Sequence, residues 1–349
     1  MPLTVLSLGY PFAAVGPDAV GGAEQILAAL DAALVRAGHR SIVIAQEGSR
    51  VCGELMPIPR YDGVVNDAAY ADIHKHVRSA IAHALDRWAV DVMHFHGVDY
   101  DAYIPLGGPP AIATLHLPIA WYRPMAVFPR RPATSVVCVS ESQRRSLPED
   151  APHVTVITNG IPIAPPPAVA RERFALTLGR ICPEKGYEHA LDAARLARIP
   201  LRMAGRVFAY PEHQRYFREQ IVPRLDTDRC FVGIASREMK QHLLARAHCV
   251  LVPSVVAETS SLIVMEALAA GTPVIAFPCG ALAELVDDGV TGFLVGSVAE
   301  MARAIDRVDA IDRSACMAAA HARFADARMV AAYFELYAAR GAQASAISA

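Results

Sequence analysis

Short apolar runs alternate along this chain with longer segments whose apolar residues recur at helical spacing. That alternation predicts β-α units around parallel sheets, because parallel strands are joined by crossovers that usually contain a helix. The predicted strands are residues 3–8, 41–45, 91–96, 111–116, 135–139 and 154–157 in the first half, and 174–178, 201–204, 230–232, 249–252 and 272–276 in the second. Each set is about what one doubly wound sheet requires, so we predict an α/β protein of two Rossmann-like domains.

A proline-rich segment separates the two sets of predicted strands. Residues 161–168 read IPIAPPPA, and proline fixes φ and removes a backbone donor, so this segment cannot continue a sheet. A chain of 349 residues is also long for a single hydrophobic core. We therefore predict an N-terminal domain over 1–163 and a C-terminal domain over 171–325. An amphipathic helix over 326–340 is expected to pack back on the first domain, and the small-residue tail behind it to fray.

Charge and cysteine usage argue against several classes of protein. Lys plus Arg total 33 against 35 Asp plus Glu, so no net positive field favours nucleic acid as a partner. The seven cysteines are dispersed and form no CxxC pair, which is typical of a reducing compartment and indicates neither a disulfide framework nor a zinc motif. The sequence shows neither a charged leader nor an apolar span of about 18 residues, so we expect a cytoplasmic protein.

Small or polar residues follow the predicted strands. In an open parallel sheet, ligands bind outside the carboxyl ends of the strands, so these positions predict a ligand cleft. They are Gly9, His94, His96, His116, Ser140, Asn159 and Gly160 in the first half, and Gly179, Arg180, Gly205, Gly233, Pro253, Ser254 and Phe277 in the second.

Two of these loops have the composition of a phosphate site. Gly21 and Gly22 stand just before a predicted helix, where glycine lets backbone amides approach a phosphate; a flexible start to the helix is the other interpretation. The segment is neither a GxGxxG fingerprint nor a Walker loop. Arg180 and Lys185 flank a strand-to-helix turn and could bind a diphosphate, or could be solvated loop cations.

Two glutamates, Glu258 and Glu266, stand eight positions apart around a Thr-Ser-Ser step. They could be an acid/base pair, the two ends of a ligand clamp, or surface charge. In one continuous helix they would be ~12 Å apart along the axis and ~80° apart around it, which is a poor acid/base pair. A helix that begins near Ser260 or Ser261 would instead leave Glu258 in a loop and place Glu266 about a turn and a half into the helix.

Other charged motifs are interpreted as structural or solvated. The two Asp-x-Asp segments, at Asp99 and at Asp226, are short matches that are common by chance, and the second precedes a strand, at the wrong edge of the sheet for a ligand. His74, His76 and His83 lie in a helical stretch and are predicted to be exposed. No metal site is predicted.

The chain resembles the glycosyltransferases of family 4, which have the two-domain B fold (GT-B). The Glu258–Glu266 segment with the run that follows it is the most specific match. The matching segments, in chain order, are GGAEQ (21–25), RAGHR (36–40), DVMHFHG (91–97), TLH (114–116), VVCVSES (136–142), TNGI (158–161), LGRICPEKG (178–186), ETSSLIVMEALAAGTPVIA (258–276) and GALAELVDDGVTGFLV (280–295).

The resemblance implies a retaining hexosyltransferase of glycan biosynthesis, with two Rossmann-like domains that face a central cleft. It would move a sugar from a nucleotide diphosphate sugar, bound by the C-terminal domain, to an acceptor on the N-terminal domain, with neither a cofactor nor a catalytic metal. The acceptor would be a sugar, a lipid-linked molecule or a small molecule. The basic segments at 128–132 and 144–145 could make a weak peripheral contact with a membrane, although solvated loop charge is the favoured interpretation, and no nucleic acid partner is expected.

The resemblance also implies roles for single residues. Arg180 and Lys185 match the cations that bind the diphosphate, Glu258 matches the carboxylate that binds the hydroxyls of the transferred sugar, and Glu266 matches the residue that holds the ribose. His116 matches the histidine near the donor sugar and β-phosphate.

The remaining donor-binding positions implied by the resemblance lie in loops. Many family members have Phe-Gly-Leu after the first glutamate, where this chain has Thr-Ser-Ser-Leu, and hydroxyl residues still suit a helix N-cap. These positions are Gly21, Gly22, Gly179, Thr259, Ser260, Ser261 and Leu262.

Three alternatives remain on the sequence alone. A nucleotide-sugar epimerase of related two-domain fold would act on the donor without an acceptor. A catalytically silent protein would bind the nucleotide sugar only. A glycoside hydrolase would need two carboxylates about 5–10 Å apart across the sugar bond, and the poor acid/base geometry of Glu258 and Glu266 argues against it.

Overall fold

The computed structural model describes residues 2–149, 151 and 154–347, and these form two compact units. Unit 1 takes its described residues from Met1–Asn159 and Ala327–Ala349, and unit 2 is Gly160–Asp326. The division therefore lies directly before the proline-rich segment.

Unit 1 contains a seven-stranded parallel sheet in the order β3-β2-β1-β4-β5-β6-β7. Its strands are β1 (Thr4–Leu8), β2 (Arg40–Gln46), β3 (Glu54–Ile58), β4 (Val92–Phe95), β5 (Ala111–Leu115), β6 (Thr134–Cys138) and β7 (Thr155–Val156). The helices that connect these strands are α1 (Gly22–Arg36), α2 (Asp67–Arg87), α3 (Pro124–Val127) and α4 (Glu141–Arg145).

Unit 2 contains a six-stranded parallel sheet in the order β10-β9-β8-β11-β12-β13. Its strands are β8 (Ala175–Leu178), β9 (Leu201–Ala204), β10 (Arg229–Phe231), β11 (Cys249–Val252), β12 (Val274–Ala276) and β13 (Gly292–Leu294). Its helices are α5 (Tyr187–Leu196), α6 (Pro211–Tyr216), α7 (Arg237–Arg246), α8 (Leu262–Ala269), α9 (Leu282–Leu285), α10 (Val298–Ile305) and α11 (Arg313–Phe324).

Both sheets confirm the predicted doubly wound class. In each sheet the strand order reverses beside the first strand, between β1 and β4 in unit 1 and between β8 and β11 in unit 2. The loops that leave neighbouring strands at such a point diverge and open a crevice, which is where ligands bind in folds of this kind.

Every predicted strand is present, and no end moves by more than two residues. The strands β3 and β13 were not predicted, and both lie at the edge of a sheet. The sequence of β3 contains Pro57, which an edge strand tolerates because one side of its backbone has no partner strand.

The last helix, α12 (Asp326–Ile347), lies mostly in unit 1. Its buried Tyr337 hydroxyl lies 2.7 Å from His94 Nδ1, and the Tyr333 hydroxyl lies 2.9 Å from Thr114 Oγ1. The helix continues to Ile347, seven residues beyond its predicted end at residue 340. Among the described residues, no helix combines the length and the apolarity that a bilayer crossing requires.

Candidate functional site

The loops at the switch point of the second sheet bring Lys185 and Glu258 together. Lys185 Nζ lies 2.5 Å from Glu258 Oε1, and the pair is mostly buried. Ser254, the second residue after β11, is fully buried and donates its hydroxyl to the same carboxylate oxygen at 2.5 Å. Both partners hold Oε1, so neither contact uses Oε2 of Glu258.

The backbone explains why these two side chains meet. Residues Pro183–Lys185 form a 3-10 turn, and Glu184 O in that turn accepts the Val255 N–H at 3.0 Å from the loop after β11. Gly186 ends the turn at φ +59°, where a Cβ would stand 2.4 Å from Pro253 O. Only glycine fits so close to the neighbouring loop, and that contact sets Lys185 beside Glu258.

A second glycine holds Glu258 from the other side. Gly280 has φ +65°, and a Cβ there would lie 2.4 Å from Glu258 O. The next residue, Ala281, donates its N–H to Glu258 O at 2.7 Å. The backbone of Glu258 is therefore fixed, although the residue lies in a loop.

Glu266 has the same arrangement as Glu258, with a different lysine. Lys240 Nζ, on α7, lies 2.5 Å from Glu266 Oε1 on α8. The other oxygen, Oε2, is buried and has no hydrogen-bond partner among the residues that the structure describes. A buried carboxylate oxygen without a donor is costly, so this atom is well suited to accept a hydrogen bond from a ligand.

The helix α8 begins at Leu262 with Ser261 as its N-cap, within two residues of the predicted start near Ser260 or Ser261, so Glu258 lies in a loop and Glu266 lies in the second turn. The Ser261 hydroxyl caps the helix by accepting the Val264 N–H at 3.4 Å, and the amides of Leu262 and Ile263 precede any intrahelical acceptor. The loop before the helix contains buried Thr259, and the Ser260 hydroxyl is buried with no partner among the described residues. These groups lie in the chain between the two glutamates.

Arg180 and Gly179 lie in the loop that follows β8. Gly179 directly follows the last residue of the strand, and its φ is +139°. The half-buried Arg180 guanidinium makes no hydrogen bond or ion pair with any residue in the described ranges. Its charge lowers the pKa of the neighbouring Cys182 thiol, although burial outweighs this effect and raises that pKa to about 11. The guanidinium of Arg180 is therefore available to bind an anion through two parallel N–H donors.

In unit 1, the half-buried His116 contacts the buried His96. His116 follows β5, and its Nε2 lies 2.9 Å from His96 Nδ1, with the two rings stacked at 15°. Burial lowers the pKa of His116 to about 4 and that of His94 to about 3, and it lowers the pKa of His96 well below its usual value. All three rings are therefore neutral near pH 7.

The glycine pair of unit 1 has a local structural explanation. Gly21 is the N-cap of α1, and a Cβ there would stand 1.8 Å from Glu24 Oε2, so the carboxylate folds back over this position. Gly22 is the first residue of the helix and is exposed. The structure accounts for glycine at position 21 without a ligand, and the exposed amide of Gly22 stays a candidate for phosphate contact.

The Asp-x-Asp segments make ordinary structural contacts. Asp226 pairs with Arg229, and Asp101 lies 2.9 Å from Arg123. Asp99 Oδ2 lies 2.7 Å from His74 Nε2. His74 is buried, so the prediction that it is exposed was wrong; the partner that made burial possible is 25 residues away in sequence.

Two contributors to the site were not predicted, Ser254 and Lys240. Ser254 appeared among the residues that follow strands but was given no role. Lys240 had one unused signal, because the chain contains only three lysines, Lys75, Lys185 and Lys240. Two of these three hold the two predicted glutamates.

Comparisons with known proteins agree on one class. A family model described as "Glycosyltransferase Family 4" matches residues 20–164, and one described as "Glycosyl transferases group 1" matches residues 172–309. The chain is 28% identical over 272 residues to a 2-deoxystreptamine glucosyltransferase of Streptomyces kanamyceticus, covering 64% of this chain and 69% of that protein.

Two solved structures share the fold over nearly the whole length. One is a sucrose-phosphate synthase from Thermosynechococcus elongatus, with a TM-score of 0.78 at 19% identity, covering 96% of this chain and 98% of that one. The other is the Anabaena protein HepE in complex with UDP and glucose, with a TM-score of 0.75 at 20% identity, covering 96% and 99%.

Proposed function

We propose that this chain, which belongs to the family 4 glycosyltransferases and is a transferase enzyme, moves a sugar from a nucleotide diphosphate sugar to an acceptor. The donor would bind at the carboxyl ends of β8 and β11 in unit 2. The acceptor class, a sugar, a lipid-linked molecule or a small molecule, is left to experiment.

One observation carries the proposal. Each of the two glutamates is held at one carboxylate oxygen by a lysine, and the contacts leave the second oxygen for another partner. At Glu266 that second oxygen is buried and has no partner among the described residues, which a ribose hydroxyl would supply. The amides at the start of α8 lie between the two carboxylates in the chain, where a diphosphate would be stabilised.

The charges of the site suit departure of a nucleoside diphosphate. Negative charge develops on the leaving group, and fixed cations aimed at it lower the barrier; one such group is typically worth ~3–4 kcal/mol. Lys185 has three N–H donors, so it can keep its contact with Glu258 and still donate to a phosphate oxygen. Arg180 can bind two phosphate oxygens through its planar fork. We assign His116 to the donor sugar on the family resemblance alone.

A panel of donors tests the proposal without an acceptor. UDP-glucose comes first, because a similar protein is a glucosyltransferase and a solved structure of the same fold contains UDP and glucose. UDP-, GDP- and ADP-sugars should be compared by the rise in Tm that each produces. One nucleotide class should raise Tm in the wild type and not in Glu266→Gln, whereas the exposed-site variant Glu238→Gln should respond normally. A panel with no response would contradict the proposal.

The stereochemistry and the absence of a cofactor or catalytic metal are part of the proposal. We expect same-face transfer, in which the departing phosphate takes the acceptor proton. NMR of the product should therefore show the anomeric configuration of the donor, and inversion would remove this mechanism. Turnover should not depend on added Mg²⁺ or Mn²⁺. Turnover that is lost on chelation and restored by Mg²⁺ would contradict metal independence.

The epimerase alternative has its own signature. Donor incubated alone in deuterated water would exchange hydrogen at a sugar carbon in an epimerase, and we expect no such exchange.

A further inference from the structure

A second cluster of polar side chains lies in unit 2 beside the turn that carries Lys185. Cys182 and Glu184 lie at the start of that turn, and His213 comes from α6. One ligand atom from each, a thiol sulfur, a carboxylate oxygen and a ring nitrogen, all lie within 4.8 Å of one another. None of these three residues is part of the proposed donor site.

The cluster contains buried polar atoms that the described part of the chain does not satisfy. Glu184 Oε2 and His213 Nδ1 are both buried without a hydrogen-bond partner among the described residues. The His213 side chain is 8% exposed, and the ring of Tyr210 packs against it with centroids 5.1 Å apart. An orphaned ring nitrogen and an orphaned carboxylate oxygen in one cluster call for a shared partner.

We propose that Cys182, Glu184 and His213 bind one Zn²⁺ ion, which ties the Lys185-bearing turn to α6. Thiolate and imidazole ligands select Zn²⁺ over Mg²⁺ or Ca²⁺, and three protein ligands leave a fourth position for water. Tetrahedral Zn²⁺ with bonds of ~2.0–2.3 Å needs ligand atoms roughly 3–4 Å apart. The three side chains would therefore close by about 1 Å.

The local charge supports a divalent cation. Binding displaces the thiol proton, so a thiolate and a carboxylate together neutralise the two positive charges of the ion. That neutralisation is required, because Arg180 lies close enough to act electrostatically on both Cys182 and His213. A monoanionic site would leave a net positive charge facing Arg180.

The position of the ligands gives the ion a structural consequence. Sequence neighbours of the ligands, Pro183 and Glu212, line an open cavity of about 340 Å³ together with Tyr216. The ion would cross-link the 3-10 turn at Pro183–Lys185 to α6, which begins at Pro211, 26 residues after the end of that turn. Its role is to stabilise this turn, and the transfer reaction does not pass through it.

Cobalt spectroscopy on the chelator-stripped full chain tests the proposal. Co²⁺ bound by a thiolate gives a sulfur-to-metal charge-transfer band in the near ultraviolet. We expect one equivalent of Co²⁺ per chain to produce this band and one equivalent of Zn²⁺ to abolish it. Cys182→Ser should lose the band and His213→Gln should weaken Co²⁺ binding, whereas Cys230→Ser and His242→Gln, which alter the same residue types in unit 2, should behave as the wild type.

A milder variant covers the case in which either substitution disturbs folding. Glu184→Gln preserves the size of the side chain and should weaken Zn²⁺ binding by about tenfold or more, with an unchanged circular dichroism spectrum. The Tm of the wild type should rise with Zn²⁺ concentration, and that of Glu184→Gln should rise less. A wild type without the band, a band that persists in Cys182→Ser, or equal Zn²⁺ affinity in Glu184→Gln would each overturn the site.

Discussion

Lys185 and Glu258 are 73 residues apart in sequence, yet the lysine Nζ lies 2.5 Å from Glu258 Oε1. The pair joins the loops that leave β8 and β11, the two neighbouring strands at the switch point of the sheet. A cation that is already held in place needs little reorganisation when a diphosphate departs, which is the condition under which it contributes most to catalysis.

Lys185→Ala should lower turnover by roughly 10²–10³, because it removes one fixed cation from the leaving group. The change in Tm should be modest, since Ser254 still donates a hydrogen bond to Glu258 Oε1 when the lysine is removed. Steady-state kinetics and thermal unfolding should be measured together, with the exposed Lys75→Ala as control. Turnover close to that of the wild type, with an unchanged Tm, would remove Lys185 from the mechanism.

Glu266→Gln should weaken donor binding more than it slows the chemical step. A hydrogen bond to a charged group is worth ~1.5–3 kcal/mol, so the Kd of the donor should rise about 10- to 100-fold. Lys240→Met should produce a smaller rise, because it acts on the donor only through Glu266. Calorimetry on the double variant completes the cycle: the two effects should not add. Additive effects would show that Lys240 does not position Glu266.

Two glycines distinguish the effect of the close contact at Glu258 from the effect of backbone strain. Gly280 and Gly289 both have positive φ, but a Cβ at Gly280 would collide with Glu258 O, whereas one at Gly289 would meet nothing within 4 Å. Gly289→Ala should therefore cost about 1–2 kcal/mol of stability with normal turnover. Gly280→Ala should cost more and should also lower turnover, because it displaces Glu258. Equal losses of stability and of turnover in the two variants would show that the contact with Gly280 does not fix Glu258.

Acid should destabilise unit 1. His94, His96 and His116 have pKa values held below the usual 6.5 by burial, so the unfolded chain takes up protons on acidification that the folded chain does not. The free energy of unfolding should be at its full value above pH ~6.5 and fall from there toward pH ~4, by up to about 1.4 kcal/mol per pH unit for each histidine. Tryptophan fluorescence follows this unit alone, since Trp88 and Trp121 both lie in it.

The slope of the unfolding free energy against pH identifies the groups that cause the acid sensitivity of unit 1. Between about pH 6 and pH 5, His96→Asn should reduce the slope of the unfolding free energy against pH. The reduction should correspond to about one proton fewer taken up on unfolding, whatever the effect of the substitution on absolute stability. His83→Asn, which alters an exposed histidine on α2, should leave the slope unchanged. An unchanged slope in His96→Asn would mean that His96 does not cause the acid sensitivity.

The elements predicted correctly from the sequence are those that local patterns of apolar and capping residues specify. The central strand β11 is a continuous apolar run, and β9 is interrupted only by Arg202; the predicted bounds of both match the structure. The edge strand β3 is mostly exposed or half-buried and contains proline, and β13 has only three residues and begins with glycine, so both carry little strand signal. The start of α8 could be predicted because a hydroxyl residue caps it locally.

Contacts between distant segments could not be predicted in the same way. Lys240 precedes Glu266 by 26 residues, and no spacing rule shows that α7 lies against α8. The burial of His74 beside Asp99 could not be predicted for the same reason. The scarcity of lysine was the usable clue: in a chain whose cations are almost all arginine, two of the three lysines hold the two glutamates.

Lysine footprinting tests the central claim, that the two lysine-held glutamates form the donor site. Only Lys75, Lys185 and Lys240 carry side-chain amines, so reductive methylation followed by mass spectrometry measures each rate separately, with exposed Lys75 as the internal reference. With the nucleotide sugar that raises Tm most at saturation, we predict slower labelling of Lys185 and Lys240 and an unchanged rate at Lys75. Equal rates at all three lysines with and without a bound donor would contradict the account.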